Sequence, residues 1–445
     1  MCSFKPELWK WETSDDAVRA YTLFLGVLAV GLLPQAASNS WASLPYFISL
    51  ASLTIYIGAH RGLNARERQQ ITFKQGALAP LAASAALFGG YLLVKYLPNL
   101  SLQTLFDCYF WLLGSIAVAG ALAAPARTLG RKVGQPVWQF QLPGWLQMAS
   151  EDGKKVEQGD VALTDLLMVV VAVAAASGDV AAHHTNHTLN NLLACLIAAD
   201  ILQLVGLKSF RVAAVLLLGL LAYDVFWVFG SPSVIGENVM LTVATSDVLT
   251  GPIRLLFPRI PGSVTEASFF PFSLLGLGDV AVPGLLACLA LRYDASRAVD
   301  MRARGQAAAQ AIRDSIAGLE ENLTKDEIAR TTGDAAIEAY NRIADLELEQ
   351  RNRTQGISAS GSQETVYHAS EAVLHQRTYF TPTLLAYVAG LGAAFAANSI
   401  THLGQPALLY LVPLTLGAVA AVAASRGELD KIHSFTDTAA KGNRK

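Results

Sequence analysis

Charge is what this chain has least of. Of 445 residues only 15% are charged, while 53% are hydrophobic; an ordinary soluble chain carries about 25% charged residues. There is too little polar surface here to cover a protein of this length in water, and a soluble enzyme is excluded. An excess of either sign is missing too. The 33 Lys and Arg against 35 Asp and Glu leave a formal charge of -2, so no global basic field favours nucleic acid and there is no acidic tail. Cysteine is sparse: Cys2, Cys108, Cys195 and Cys288 are scattered, three of them inside apolar runs. That pattern gives neither a disulfide framework nor a zinc site, and no metal is expected. No internal repeat of the kind many transporters carry is evident.

What is abundant is long apolar runs. A helix needs roughly 20 such residues to cross a bilayer core. Runs occur near residues 21–37, 44–59, 76–94, 102–124, 161–182, 189–206, 212–230, 269–291, 380–400 and 406–424. With 44–59 as the first span and its N-terminal end lumenal, 27 of the 33 Lys and Arg fall in cytosolic segments, as the positive-inside rule requires. The expectation is an all-α polytopic bundle of about nine transmembrane helices, N-terminus lumenal and C-terminus cytosolic. For residues 21–37 three readings stand open: a signal peptide cleaved near Gln35–Ser38, a tenth span, or an interfacial segment.

Five regions follow: an N-terminal segment 1–43, spans one to seven over 44–291, a charged Ala-rich cytosolic insertion over 292–378, spans eight and nine over 379–425, and a cytosolic tail over 426–445. Within the insertion, 326–350 has helical periodicity and 355–363 (QGISASGSQ) is a flexible linker by composition. Four Asn-x-Ser/Thr sequons occur; this topology makes Asn99 and Asn186 lumenal glycosylation candidates and leaves Asn322 and Asn352 in the cytosol.

An aspartate at mid-bilayer costs about 2.5–3.5 kcal/mol on insertion scales and is a functional hypothesis by default. Asp224 lies about 12 residues, or about 18 Å, into its run, and Asp279 about 10 residues, or about 15 Å, into the next. Both runs therefore carry an acid near the middle of a core about 30 Å thick, on helices able to lie side by side. Two carboxyl groups that close would share one proton, a state suited to acid–base hydrolysis. Asp107, Asp165 and Asp179 lie near helix ends and read as structural, whereas Asp200, with Asn190 and Asn191, is expected to make interhelical hydrogen bonds. His183, His184 and His187 read as a solvated polar turn.

The surroundings of the two acids sharpen the picture. Tyr223 precedes Asp224, and Gly276-Leu277-Gly278 precedes Asp279. Pro283 favours a kink, and Gln405-Pro406-Ala407-Leu408 opens the last run. In this order, each on an expected span, these motifs resemble the signal peptide peptidase family of intramembrane aspartyl proteases, relatives of presenilin. The resemblance also takes in Asn190-Asn191-Leu192, the segment from Pro252 to Pro258 and Leu291-Arg292-Tyr293-Asp294. It covers most of the chain from about residue 44 to 429.

The resemblance implies a presenilin-like fold of nine spans. It implies Asp224 and Asp279 as the catalytic pair, with Tyr223, Gly276, Leu277, Gly278, Gln405, Pro406, Ala407 and Leu408 shaping the site and binding substrate. It implies cleavage of transmembrane-helix substrates such as signal-peptide remnants and type II or tail-anchored proteins, in the endoplasmic reticulum membrane, with no cofactor. Three departures stand beside it: the long 292–378 insertion, a C-terminus lacking dilysine spacing (which leaves Golgi or another endomembrane open), and no large lumenal domain before the first span. Self-association and endoplasmic-reticulum quality-control partners engaging the cytosolic loop are left open as well. Hydropathy and deep acids alone also suit a proton-coupled transporter or channel, or an inactive adaptor that binds membrane proteins.

Overall fold

The computed structural model describes residues 11–33, 42–64, 68–96, 103–133, 137–141, 158–236, 239–244, 250–258, 272–317, 325–339, 371–401 and 404–437. It is mostly helical. Seven helices among the described residues are long and apolar enough to cross a membrane: α3 (Phe73–Tyr96), α4 (Gln103–Val133), α5 (Leu163–Ala181), α6 (His187–Leu204), α7 (Phe210–Val225, continued to Ile235), α12 (Phe380–Thr401) and α13 (Leu408–Ser425). Helix α2 (Ser43–Arg61) is less apolar. It can be, because most of its side chains, from Tyr46 and Phe47 through Leu50, Ile55 and Ile57, are buried against protein rather than turned to lipid.

The chain divides into two units, residues 10–292 with 378–445, and residues 1–9 with 293–377. In the first, α2 packs on α6, α3 on α7, α4 on α5, and α13 on both α7 and α12. Between membrane helices packing depends on close backbone approach at small residues. A methyl group added at Gly58 would stand 2.8 Å from Leu202 Cβ and 3.0 Å from the Ala199 carbonyl, so α2 and α6 meet there backbone to backbone. In the second unit the described residues are helical, comprising the distal part of α10 (Gly278–Ala317), α11 (residues 325–339) and a short 3-10 turn, Glu371–His375. The expected linker at 355–363 and the remainder of the expected 326–350 helix lie outside the described residues.

The N-terminal apolar segment forms α1 (Asp15–Val30), capped by the Ser14 side chain. It runs antiparallel to α2. At one end Trp11 Nε1 and the Tyr56 hydroxyl both donate to the Asp16 carboxylate. At the other, Gly31 lies against Tyr46, and its carbonyl accepts from His187 Nε2 at 2.9 Å. Phe24 and Leu28 are buried. The cleavage-like residues Gln35–Ser38 lie outside the described residues.

The sheets are small, and the all-α expectation did not include them. The described residues form three two-stranded ladders: β1 (Gln69–Ile71) parallel to β4 (Val205–Leu207), β2 (Val137–Gln141) antiparallel to β3 (Gln158–Ala162), and β5 (Arg254–Pro258) antiparallel to β6 (Phe272–Gly276). The last revises the expected 269–291 span. Phe272–Gly276 is strand, and the helix starts at Gly278, which puts Asp279 in its first turn rather than in the middle of a helix. Gly276 and Gly278, poor helix formers, allow the change, and hydrogen bonds from outside the segment complete it.

On the cytosolic side of the expected topology, Arg292 makes a bidentate pair with Asp437 at 2.6 and 2.8 Å. The Asp437 N–H donates to the Lys208 carbonyl. Arg68 donates to the carbonyls of Leu202, Gln203 and Val205 and so satisfies the C-terminal end of α6.

Candidate active site

Asp224 sits one residue before the end of α7 and is 2% exposed. Beyond Val225 the helix opens into a π-helical turn, Phe226–Gly230. Such turns widen a helix locally and recur at functional sites. The turn is held from outside, since Trp227 Nε1 donates to Ser84 Oγ at 3.0 Å and the Ser231 hydroxyl to the Trp227 carbonyl at 2.6 Å.

The backbone N–H of Leu408 donates to Asp224 Oδ2 at 3.0 Å. Leu408 is the first residue of α13, with Ala407 as its N-cap. The first N–H groups of a helix have no partner inside it and carry the positive end of the helix dipole. The Pro406-Ala407-Leu408 motif thus acts through its backbone, supplying a helix N-terminus to an acid on another helix. The Pro406 carbonyl accepts from Leu409, and the Ala407 carbonyl from Tyr410 and Leu411, which closes the first turn. Gln405 is tied on both sides: its Nε2 donates to Thr401 Oγ1 at 2.8 Å, and its Oε1 accepts from the Tyr410 hydroxyl at 3.2 Å.

Asp279 reaches the same place from the β5–β6 hairpin. The Leu277 N–H donates to the Ile253 carbonyl at 3.0 Å, extending the ladder one step past Gly276, and the Leu277 carbonyl then accepts from Val280 and Ala281 to begin α10. A methyl on Gly276 would lie 3.5 Å from Asp279 Oδ2, so the bare strand end borders the carboxylate directly. Among the described residues, chain neighbours aside, nothing lies within 4 Å of the corresponding point on Gly278. Asp279 is half-buried, within electrostatic range of Asp224, and Tyr223 is within range of both. Pro283, inside the first turns of α10, has no N–H to donate to the Asp279 carbonyl. Gly284 lets this helix approach Leu202 of α6 and Ile55 of α2.

The structure therefore brings Tyr223, Asp224, Gly276, Leu277, Gly278, Asp279, Pro406, Ala407 and Leu408 into one site, with Gln405 bracing its edge. Of the sequon residues, Asn186 is exposed and caps α6, its Oδ1 accepting from Leu189 N–H at 3.2 Å. Asn99 lies outside the described residues. Among those residues no group of three His, Cys, Asp or Glu could hold a metal ion.

The interhelical bonds expected of Asp200 and Asn191 are present: Asp200 of α6 pairs with Arg61 of α2 at 2.7 Å, and Asn191 Nδ2 donates to the Tyr46 hydroxyl of α2 at 3.1 Å. Asn190 and Asn191 also bind strand β5, a contact that residue type alone does not reveal. One reading is corrected. His184 is no solvated turn residue. It is 6% exposed, with Nδ1 2.6 Å from Asp179 Oδ2 and Nε2 3.1 Å from Asp107 Oδ1. Burial works against its charged form, but hydrogen bonds and charge from Asp179, then Asp107, outweigh that and raise its pKa above 6.5. His183 is exposed, as expected.

Residues 64–439 match the family model described as signal peptide peptidase. The chain is 27% identical to the signal peptide peptidase of Homo sapiens over 91% of this chain and 85% of that protein. It is 28% identical to signal peptide peptidase-like 1 of Arabidopsis thaliana over 60% of each. To intramembrane protease 2 of Caenorhabditis elegans it is 27% identical, over 56% of this chain and 38% of that protein. No solved structure matches. With the family model spanning well over half of its length, this multi-pass membrane chain belongs to the signal peptide peptidase family.

Proposed function

We propose that this protein is an intramembrane aspartic endopeptidase in which Asp224 and Asp279 share one proton and hydrolyse peptide bonds within transmembrane helices. The observation that carries this reading is the convergence of the α13 N-terminus on Asp224 beside the Asp279-bearing end of the hairpin. Leu408 N–H can only donate, so it engages Asp224 Oδ2 as an acceptor and leaves Oδ1 to the shared proton. The ionised member of the pair takes a proton from water, and the water oxygen bonds to the scissile carbonyl carbon. The protonated member gives its proton to the carbonyl oxygen. Collapse of the resulting diol breaks the C–N bond, and the amine leaves with a proton returned by the pair.

A substrate helix must first open, because its own hydrogen bonds hide the scissile carbonyl and bare backbone in lipid is costly. The register of the hairpin supports a way to meet that need. Residues 255 and 257 pair inward with 275 and 273, so Leu274 and Gly276 direct their N–H and C=O groups away from β5, along the edge that ends at Asp279. An extended substrate segment adds to that edge. Signal-peptide remnants and type II or tail-anchored proteins are the substrate class, and the endoplasmic reticulum membrane is the location.

The test is incubation of purified protein with a labelled transmembrane peptide, with and without a transition-state analogue that carries a hydroxyl in place of the scissile carbonyl. Fragments that disappear with the analogue are expected. Fragments insensitive to it would contradict the shared-proton pair.

A further inference from the structure

Both edges of a two-stranded ladder invite another strand, yet only the β6 edge leads to Asp279. The β5 edge is already occupied. Asn191, near the start of α6, donates from Nδ2 to the Leu256 carbonyl at 2.7 Å and accepts at Oδ1 from Leu256 N–H at 2.7 Å. One side-chain amide thereby satisfies both outward groups of a strand residue, as a neighbouring strand would. Asn190 Nδ2 donates to the Arg254 carbonyl at 2.9 Å, two residues along the same edge. Both asparagines are 0% exposed. The frame is completed by α2. The Tyr46 hydroxyl accepts from Asn191 Nδ2 at 3.1 Å, and the Tyr46 ring lies 4.9 Å from that of Phe257, which is itself buried. Short ladders are not stable alone. This one is registered against a helix by side chains more than 60 positions away in sequence.

We propose that Asn190 and Asn191 are positioning residues that act as a surrogate strand: they close the β5 edge, confine substrate addition to β6, and fix the register at which a scissile bond meets the aspartate pair. The proposal rests on the strand-addition reading above. It gives the asparagines a role in choosing the cleavage position, not only in holding the fold.

The test uses the full chain, purified, with a labelled transmembrane peptide whose products are located by mass spectrometry, alongside thermal unfolding. Asn191→Ala is expected to lower turnover by about tenfold, the scale of losing a buried paired hydrogen bond, and to yield products cut at additional positions. Asn191→Ser keeps a hydroxyl but loses the paired contact to Leu256, and Asn190→Ser, with its shorter side chain, loses the second contact; neither buries a charge, and each should broaden the product set while folding closer to wild type. Slower cleavage at the single wild-type position in the folded variants would overturn the proposal and leave only a structural role.

A separate variant tests the underlying reading. Leu274→Pro removes one outward N–H from an edge strand, where proline is tolerated, and is expected to abolish cleavage. Normal cleavage by Leu274→Pro would refute strand addition whatever the asparagine variants do. Loss of cleavage in Leu274→Pro with unchanged cut positions in the asparagine variants would refute the surrogate strand alone.

Discussion

The backbone N–H of Leu408 donates to the Asp224 carboxylate across 3.0 Å and 184 residues of sequence. The contact asks for an oxygen acceptor, whereas hydrolysis asks for an ionisable group, and one substitution separates the two. Asn at position 224 keeps an acceptor oxygen of the same shape. Asp224→Asn is therefore expected to fold with an unchanged melting temperature while losing at least about 10³ in turnover, the range of a lost acid–base group. Thermal unfolding and peptide cleavage on the same preparation check both halves.

Arg292 and Asp437 form a buried bidentate pair, with side chains 7% and 6% exposed. Removing one partner strands the other charge, so Arg292→Ala or Asp437→Ala should each cost about 3–5 kcal/mol. The double variant should lose less than the two single losses combined. Unfolding of the four proteins in one detergent measures this coupling.

His184 predicts a pH dependence. Its pKa is raised in the folded protein by Asp179 and Asp107 against the opposing effect of burial. A raised folded value means that the stabilisation is fully present below the unfolded pKa of about 6.5 and is lost as pH rises through the folded one. As pH rises above about 6.5 and through the raised folded value, the melting temperature should fall, and His184→Gln should flatten that slope. The groups facing the ring are those two carboxylates, with Gln103 hydrogen-bonded to Asp107 behind them. An unchanged slope in the variant would contradict the assignment.

Helix α1 is built into the helical core. Asp16 accepts from Trp11 and Tyr56, and Phe24 and Leu28 are buried. A cleaved signal peptide would leave those surfaces of α2 bare, so the purified protein is expected to retain residues 11–33 by intact mass. Asp16→Ala should lower stability by about 1–3 kcal/mol through two orphaned donors.

The membrane class, the two acids and the Pro406–Leu408 motif were legible in sequence because each is a local signal: an apolar run, a charge inside it, a proline at a helix start. The hairpin was not. Phe272–Gly276 is an apolar stretch continuous with the helix that follows, and it is a strand through pairing with β5, which the distant amides of Asn190 and Asn191 hold from its other edge. Residue type marked these asparagines as interhelical, which the Asn191–Tyr46 bond bears out, but gave no sign of their bonds to β5. His184 was misjudged for a similar reason, since its two carboxylate partners come from different helices. What stayed hidden was set in each case by a side chain meeting the backbone or charge of a remote segment. The seven strongly apolar helices were plain, while α2, shielded by its neighbours, needs less hydropathy than a lipid-facing span.

The central claim is that Asp224 and Asp279 act as one acid–base unit. The most direct measurement is turnover of a labelled transmembrane peptide by purified Asp279→Ala, Asp224→Ala and the double variant, with folding checked by thermal unfolding. Groups that act as a unit are non-additive, so each single variant is expected to fall to the background of the double. Measurable cleavage by folded Asp279→Ala above that background would contradict the account.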